Sequence, residues 1–441
     1  MSGADTARRV CLALPTNRAC APVVTALGGE ARYAAAHFGV EVHLLVLDSS
    51  APDDLTAHAQ ALAEFRDVPG VVVHHLDEDR QRDFLRRVVH AADVLKPDLL
   101  LDLMLPSALS YGACTNRAFL IAAALGCASV HRRDSDSAYQ VLDGEPVYPI
   151  HHELASLGRR AADATAAVTG TDLDPAHHDK PVVLVGSSFI GELSVDIGEI
   201  HDLDREVYYD VVSLWAPQDW PEARKRDLVD ESFRGAGLDP FTEDRAVLTH
   251  VDPMRVDMCN ISFHRVHEQI PLPPATDTIG SDYFLLHVVY DATLPGVLHN
   301  RTIVNYYTGE RRTDSGFTAY QNRFTKFFLS MLYLNHVYAE MERAGSALLD
   351  ERHDVRADQI ARLVRDSARL DTAENVHRLD VLERSYRKLG GKYAAFADAL
   401  PARRERLLAE ARHDMEDFAL LIEAWAALIR AARAADASSL G

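Results

Sequence analysis

The chain has 441 residues, 47% of them hydrophobic, enough for about two or three packed domains rather than a disordered polymer. Its 66 acidic and 46 basic residues give a net charge of −20, which excludes the basic footprint that nucleic acid or an anionic membrane requires. No apolar run of about 18 residues offers a membrane span, and the stretch from Met1 to Arg9 lacks the apolar core of a signal peptide, so a cytoplasmic protein is expected.

Val10 to Leu14 is an apolar run closed by Pro15-Thr16-Asn17-Arg18, which predicts a buried strand stopping at a polar loop. Helical spacing follows over 22–38. A second strand is expected over Val40 to Leu47, ending at Asp48; then come a helix over 55–66, a short strand at Val71 to Val73 and a charged helix over 79–95. Asp98 to Leu105, after Lys96-Pro97, reads as a strand, although a buried helical turn shares its pattern. This alternation predicts an α/β fold, a mostly parallel sheet with helices on both faces.

The segment from Thr115 to Asp136 is the richest in chemistry. Asn116 and Arg117 open a helix whose buried face is Leu120, Ile121, Ala124 and Leu125, Gly126 ends it, and a short strand runs into Asp134-Ser135-Asp136. Two carboxylates one residue apart at a strand's carboxyl end can grip Mg²⁺ or Mn²⁺. The same Asp-x-Asp spacing recurs at Asp77/Asp79, Asp172/Asp174 and Asp202/Asp204, where solvated turns are the simpler role.

Pro181 to Val185 predicts another strand, and 283–290 and 297–307 again bring β-branched and aromatic residues. From Phe317 onward the pattern is helical, with Phe324, Phe327, Phe328, Met331, Leu332 and Leu334 in step. Residues 1–316 thus read as an α/β catalytic domain and 317–441 as an all-helical region that Gly390-Gly391 and Pro401 divide into about four helices. Its amphipathic faces suit a homodimer contact or a cover over a ligand. The five cysteines, Cys11, Cys20, Cys114, Cys127 and Cys259, are scattered and odd in number, as small core residues would be.

Several catalytic templates are missing. There is no P-loop and no Gly-x-Gly-x-x-Gly, and Gly186-Ser187-Ser188 lacks the second glycine of a nucleophile elbow. His151-His152-Glu153 is the best candidate for a metallohydrolase site, but His-Glu-x-x-His is absent.

The order of Pro15-Thr16-Asn17-Arg18, Asp48, Asn116-Arg117, Asp134-Ser135-Asp136 and Gly280-Ser281-Asp282 resembles the GT-A class of nucleotide-sugar glycosyltransferases, in particular its family-2-like group, over roughly residues 10–310. The resemblance implies that Pro15, Thr16 and Arg18 border a nucleobase, that Asp48 bonds base or ribose, and that Asn116 and Arg117 approach the nucleotide. It further implies Asp134 near the ribose, Asp136 on a Mn²⁺ or Mg²⁺ ion with His299 as a further ligand, and Arg301 on a diphosphate oxygen. Asp282 would be the base of an inverting transfer, the alternative being a cap on a helix beginning at Tyr283. Asp48 could equally end a plain turn, Arg117 lie on a helix surface and His299 be a buried core residue. One departure stands out: His131-Arg132-Arg133 precede the acid pair where the family is apolar, and these cations could assist a diphosphate. The donor implied is a GDP- or UDP-sugar and the acceptor a small molecule. The chain is also similar to glycosyltransferases of actinomycete natural-product (antibiotic) pathways, some of which use a thiol acceptor such as ergothioneine. The competing reading is a catalytically inactive, nucleotide-sugar-binding partner subunit.

Overall fold

The computed structural model describes residues 7–192, 197–233, 235–306, 309, 313–435 and 440; most of the N-terminal stretch considered for a signal peptide, and Tyr307, lie outside them. The first part of the chain runs β1 (Arg9–Thr16), α1 (Ala21–Phe38), β2 (Glu41–Asp48), α2 (Pro52–Ala63), β3 (Val71–Leu76), α3 (Glu78–Ala92), α4 (Pro97–Met104), α5 (Tyr111–Ala124) and β4 (Ser129–Arg133). These four strands are parallel, in the order β3-β2-β1-β4.

β1 is apolar from Val10 to Leu14 because both its faces are covered. Val10, Leu12 and Leu14 pack with Val24, Leu27 and Ala31 of α1, while Cys11 and Ala13 face a second core that holds Leu85 of α3 and Phe119 of α5. Successive side chains of a strand point to opposite faces, so a continuous apolar run marks a strand buried on both. Residues 98–104 of the expected strand 98–105 are helical instead, and Leu105 caps the helix. Pro97 sits in the first turn, where its missing N–H costs nothing, and Leu100 and Met104, four apart, share the buried face.

The middle of the chain adds β5 (Ser137–Tyr139), the hairpin β6 (Val141–Leu142) and β7 (Glu145–Pro146), α6 (Ile150–Ser156), α7 (Ala161–Ala164), β8 (Gly170–Thr171), β9 (Leu184–Gly186), β10 (Phe189–Gly191), α8 (Gly198–Leu203), α9 (Arg205–Val212) and α10 (Glu222–Glu231). There follow β11 (Ala246–Thr249), β12 (Asn260–His264), α11 (Val266–Gln269), α12 (Phe284–Asp291), β13 (Gly296–His299) and β14 (Ile303–Asn305). β12 lies antiparallel between β4 and β9, and the main sheet reads β3-β2-β1-β4-β12-β9-β13-β11-β8, mostly parallel. β10, β14 and β5 form a small second sheet. The 283–290 segment is α12 rather than a strand: Leu285, Leu286, Val288 and Val289 are all buried, and so uniformly apolar a run carries no period that separates helix from strand.

The C-terminal part comprises α13 (Asp314–Ala344), α14 (Ala357–Ser367), α15 (Ala373–Leu389), α16 (Gly391–Ala399) and α17 (Arg404–Ala434). There are five α-helices among the described residues, because the chain also breaks at Gly345. They do not form a core of their own. Phe418 meets Phe284 of α12 edge to face at 4.8 Å, Trp425 Nε1 donates to His267 O at 3.0 Å, and one apolar cluster runs from the sheet through α5 and α12 into α17. Among the described residues no helix is long and apolar enough to cross a membrane.

Candidate functional site

The chain leaves β1 for β2 and β3 on one side and returns to β4 on the other. At such a switch point the loops after the two central strands diverge and leave a crevice at the strands' carboxyl ends. Here those loops carry Asn17-Arg18 and Asp134-Ser135-Asp136, and Arg18 Nη1 donates to Asp136 Oδ2 across the gap at 3.1 Å. The third wall is the segment 105–111 and the first turns of α5, and together they enclose a polar chamber of about 310 Å³.

Two residues hold α5 in place. A Cβ on Gly112 would lie 1.9 Å from Pro273 O, so only glycine lets the helix approach that backbone. One turn on, Asn116 is fully buried and clamps Leu272, donating to its carbonyl and accepting from its N–H, each at 2.8 Å. The expected approach of Asn116 to a ligand is thereby ruled out by geometry, since both ends of its carboxamide are spent on the backbone.

Arg117 does reach the chamber. It is 7% exposed, its Nε donates to Gln81 Oε1 and its Nη1 to Met104 O, both at 2.7 Å, and it makes no ion pair with a carboxylate among the described residues. No hydrogen bond from its Nη2 is formed among the described residues, and the side chain lines the chamber. Burial pulls its pKa down from the ordinary arginine value, yet a guanidinium stays protonated near neutrality. Glu78, in the same chamber wall, attracts it without forming an ion pair, so the cost of burying the cation is only partly offset within the chain.

Arg132, at the end of β4, is 3% exposed and bridges two acids: Nη2 lies 3.1 Å from Asp134 Oδ1 and Nη1 2.9 Å from Asp282 Oδ2, while its Nε has no partner. Burial opposes its charge, but Asp134 and Asp282 hold its pKa above the ordinary value. Asp134 is pushed up to about 6, first by burial, with Arg132 opposing and Asp136, Asp257 and Asp282 adding repulsion. Asp282 is also raised, by burial.

Beyond these acids lies a second chamber of about 180 Å³ that shares Tyr111, Asp134 and Asp136 with the first. Its walls are aromatic and methionine side chains, with Asp257 and Asp282 set among them. Asp257 accepts the Tyr283 hydroxyl at 2.5 Å and the Cys259 N–H at 3.0 Å. Asp282 sits in the 3₁₀ turn Ser281–Tyr283 ahead of α12, and no capping hydrogen bond from its side chain is formed there. Sequence reasoning did not single out Asp257 and Tyr283, and noted Arg132 only as a departure from pattern.

Pro15, Thr16, Arg18, Arg117, Asp134 and Asp136 thus meet in one chamber, with Asp282 one guanidinium away. Asp48 does not join them. It is fully buried beneath Leu47 and Ser49, its Oδ2 receiving His58 Nδ1 at 2.7 Å and His75 Nε2 at 2.8 Å and its Oδ1 the Ser50 N–H at 3.0 Å. Burial works against its charge, but the bonds from His75, Ser50 and His58 outweigh it and hold its pKa well below the ordinary range. Asp48, His58 and His75 are also the one group among the described residues with three potential metal-ligand atoms within 4.8 Å of one another. Hydrogen bonds account for the triad without an ion. His58 Nε2 accepts from the Cys20 N–H at 3.0 Å, which leaves the ring proton on Nδ1, pointing at Asp48.

His299 and Arg301 line neither chamber. His299 is buried and stacked on His152 with ring centroids 5.5 Å apart, and Arg301 grips Asp244 with Nε at 2.6 Å and Nη2 at 2.8 Å. The expected ion site of Asp136 with His299 is therefore not assembled. His299 is the last residue of β13 and Arg301 lies two residues beyond it, where they meet His152 of α6 and Asp244. His151-His152-Glu153 do not converge either: Glu153 is bound by His131 and Arg133, His152 by Asp244, and His151 by Tyr33.

A family model matches residues 8–440, nearly the whole chain, and its description is a family of unknown function, DUF6271. The chain belongs to the DUF6271 family. No curated protein matches it. In this DUF6271 chain the two joined chambers, one polar with an unpaired arginine and one aromatic with carboxylates, are the features from which a function has to be argued.

Proposed function

We propose that the protein is a glycosyltransferase that moves a sugar from a nucleoside-diphosphate donor, GDP- or UDP-linked, to a small-molecule acceptor, with inversion. The observation that carries this reading is the buried Arg117, which makes no ion pair among the described residues, facing a switch-point chamber that opens at Asp134 and Asp136 into a second, aromatic chamber. An anionic donor suits the first chamber. The Arg117 guanidinium and the amino-terminal turn of α5 would meet phosphate oxygens there. Pro15 and Thr16, at the end of β1, would border the base, as the resemblance implies.

Arg132 links the two halves of the reaction, since one guanidinium holds both the donor-side Asp134 and the acceptor-side Asp282. In the transfer the acceptor heteroatom bonds to the anomeric carbon as its proton passes to the Asp282 carboxylate. The anomeric C–O bond breaks, and its electron pair leaves on the diphosphate, where the arginines neutralise it. A carboxylate whose pKa is raised by burial is a better proton acceptor than an exposed one. Holding donor and acceptor on either side of Asp134 supplies the proximity.

A Mn²⁺ or Mg²⁺ ion held by the protein alone does not fit these residues. Asp136 is paired with Arg18 and Asp134 with Arg132, and no three carboxylate or imidazole ligand atoms converge there among the described residues. Charge neutralisation by arginine is the version the side chains support.

The test is titration calorimetry of UDP and GDP, each with Mn²⁺ and with EDTA, on the wild type and on Arg117→Met. One nucleotide should bind, EDTA should leave most of that affinity, and the variant should lose it. Binding of neither nucleotide would sink the proposal, and binding that vanishes in EDTA and in Asp136→Ala would restore the ion.

A further inference from the structure

The aromatic chamber carries a charge imbalance that sugar transfer alone does not call for. Asp134, Asp136, Glu231, Asp257 and Asp282 stand in its wall, and among the described residues lining it there is no lysine or arginine. Arg18 and Arg132, which line the polar chamber or pair from its side, partner Asp136, Asp134 and Asp282. Asp257 has no such partner among the described residues, its oxygens being met by a neutral tyrosine hydroxyl and a backbone N–H. The remaining wall includes Trp215, Phe233, Tyr283, Tyr320, Phe327 and Tyr338. Aromatic faces attract a cation through their quadrupole, and the carboxylates, of which Asp282 is buried and the others are at least partly exposed, add a formal charge of the same sense.

We propose that this chamber binds an organic cation, an amine or quaternary ammonium group on a small apolar body, and that this molecule is the acceptor. A bare divalent ion is the poorer occupant, because no three of these carboxylates have oxygens within 4.8 Å of one another, so the acids are spread along a wall rather than gathered into a chelate. A broad cation with methyl or methylene groups matches a spread of charge between aromatic rings. Crowding of the acids agrees with this: Asp257 and Asp282 both help to raise the pKa of Asp134, and a cation among them would relieve that repulsion. The acceptor role rests on the transferase reading; occupancy of the chamber by a cation does not.

The experiment compares choline and benzyltrimethylammonium with the neutral isostere of choline, in which a tert-butyl group replaces trimethylammonium. Binding is read by calorimetry and by the fluorescence of Trp215 in the wall, with Trp215→Phe identifying that signal. The cations should bind about tenfold or more tightly than the isostere, the difference expected from ring and carboxylate attraction together. Asp257→Asn should weaken the cations and leave the isostere unchanged. Equal or tighter binding of the isostere, no binding of any probe, or displacement of choline by micromolar Mn²⁺ would each overturn the proposal. UDP and GDP titrated in the same samples keep the two ideas apart. Nucleotide binding without cation binding rejects the cation site and keeps the transferase; cation binding without nucleotide binding keeps the site and rejects its acceptor role.

Discussion

The two chambers are built from the same loop, Asp134 to Asp136, yet they neutralise charge in opposite ways. In the polar chamber an arginine is left over: Arg117 is buried and makes no ion pair among the described residues, although Glu78 stands in the same wall. In the aromatic chamber an acid is left over: Asp257 has no base opposite among the described residues. Arg117 is the buried one of the two, and a desolvated charge kept without an ion pair costs several kcal/mol, whereas Asp257 is half-buried. The pairing of surpluses teaches where ligands of each sign belong, which neither the net charge of −20 nor the acid pair by itself reveals.

Breaking the Arg132 bridge should have the largest effect. Asp282→Asn is expected to lower transfer by about 10²–10⁴-fold while UDP or GDP affinity stays within about twofold, as loss of a base does; a nucleotide affinity that falls in parallel would mean that Asp282 serves the donor chamber instead. Arg117→Met comes next, with turnover down by about 10²–10³-fold and nucleotide affinity reduced, as for removal of one donor to a developing charge. Asn116→Ala should lower stability by about 2 kcal/mol in urea unfolding, through an unsatisfied Leu272 backbone, without changing nucleotide affinity of the folded fraction.

Smaller effects sharpen the contrast. Cation affinity should fall as pH drops through about 6, where Asp134 takes up its proton and stops attracting the ligand, and a flat profile between pH 5 and 8 would separate Asp134 from the cation. The sign follows from the raised pKa: the attractive, ionised form prevails above it and is lost below. Arg301→Gln should leave both nucleotide and cation affinities unchanged, since its guanidinium is spent on Asp244 and Tyr148 outside both chambers.

Sequence alone determined the local skeleton. Strands β1 and β2 were legible because apolar runs closed by polar loops are short-range signals; α5 was legible from its face of Leu120 and Ile121 and its end at Gly126, but it starts at Tyr111 behind the Ser110 cap and not at Asn116-Arg117, which lie in its second turn. The places where the reading slipped, α4 and α12, are short apolar runs in which burial on all sides erases the period. The carboxyl ends of β1 and β4 were also found, because strand ends at a switch point are predictable without knowing what else approaches them.

Partners across the fold were decided only by tertiary structure. Arg132 meets Asp282 from 150 positions away, Asn116 meets Leu272 from 156, and whether a polar residue faces a ligand or a backbone carbonyl depends on such meetings. Asp48 and Arg301 have the right chemistry for a nucleotide site, but His58, His75 and Asp244 reach them first. The order of residues fixes which groups are available; burial and the long-range hydrogen bond decide which remain unspent, and an unspent buried charge is what a ligand can use.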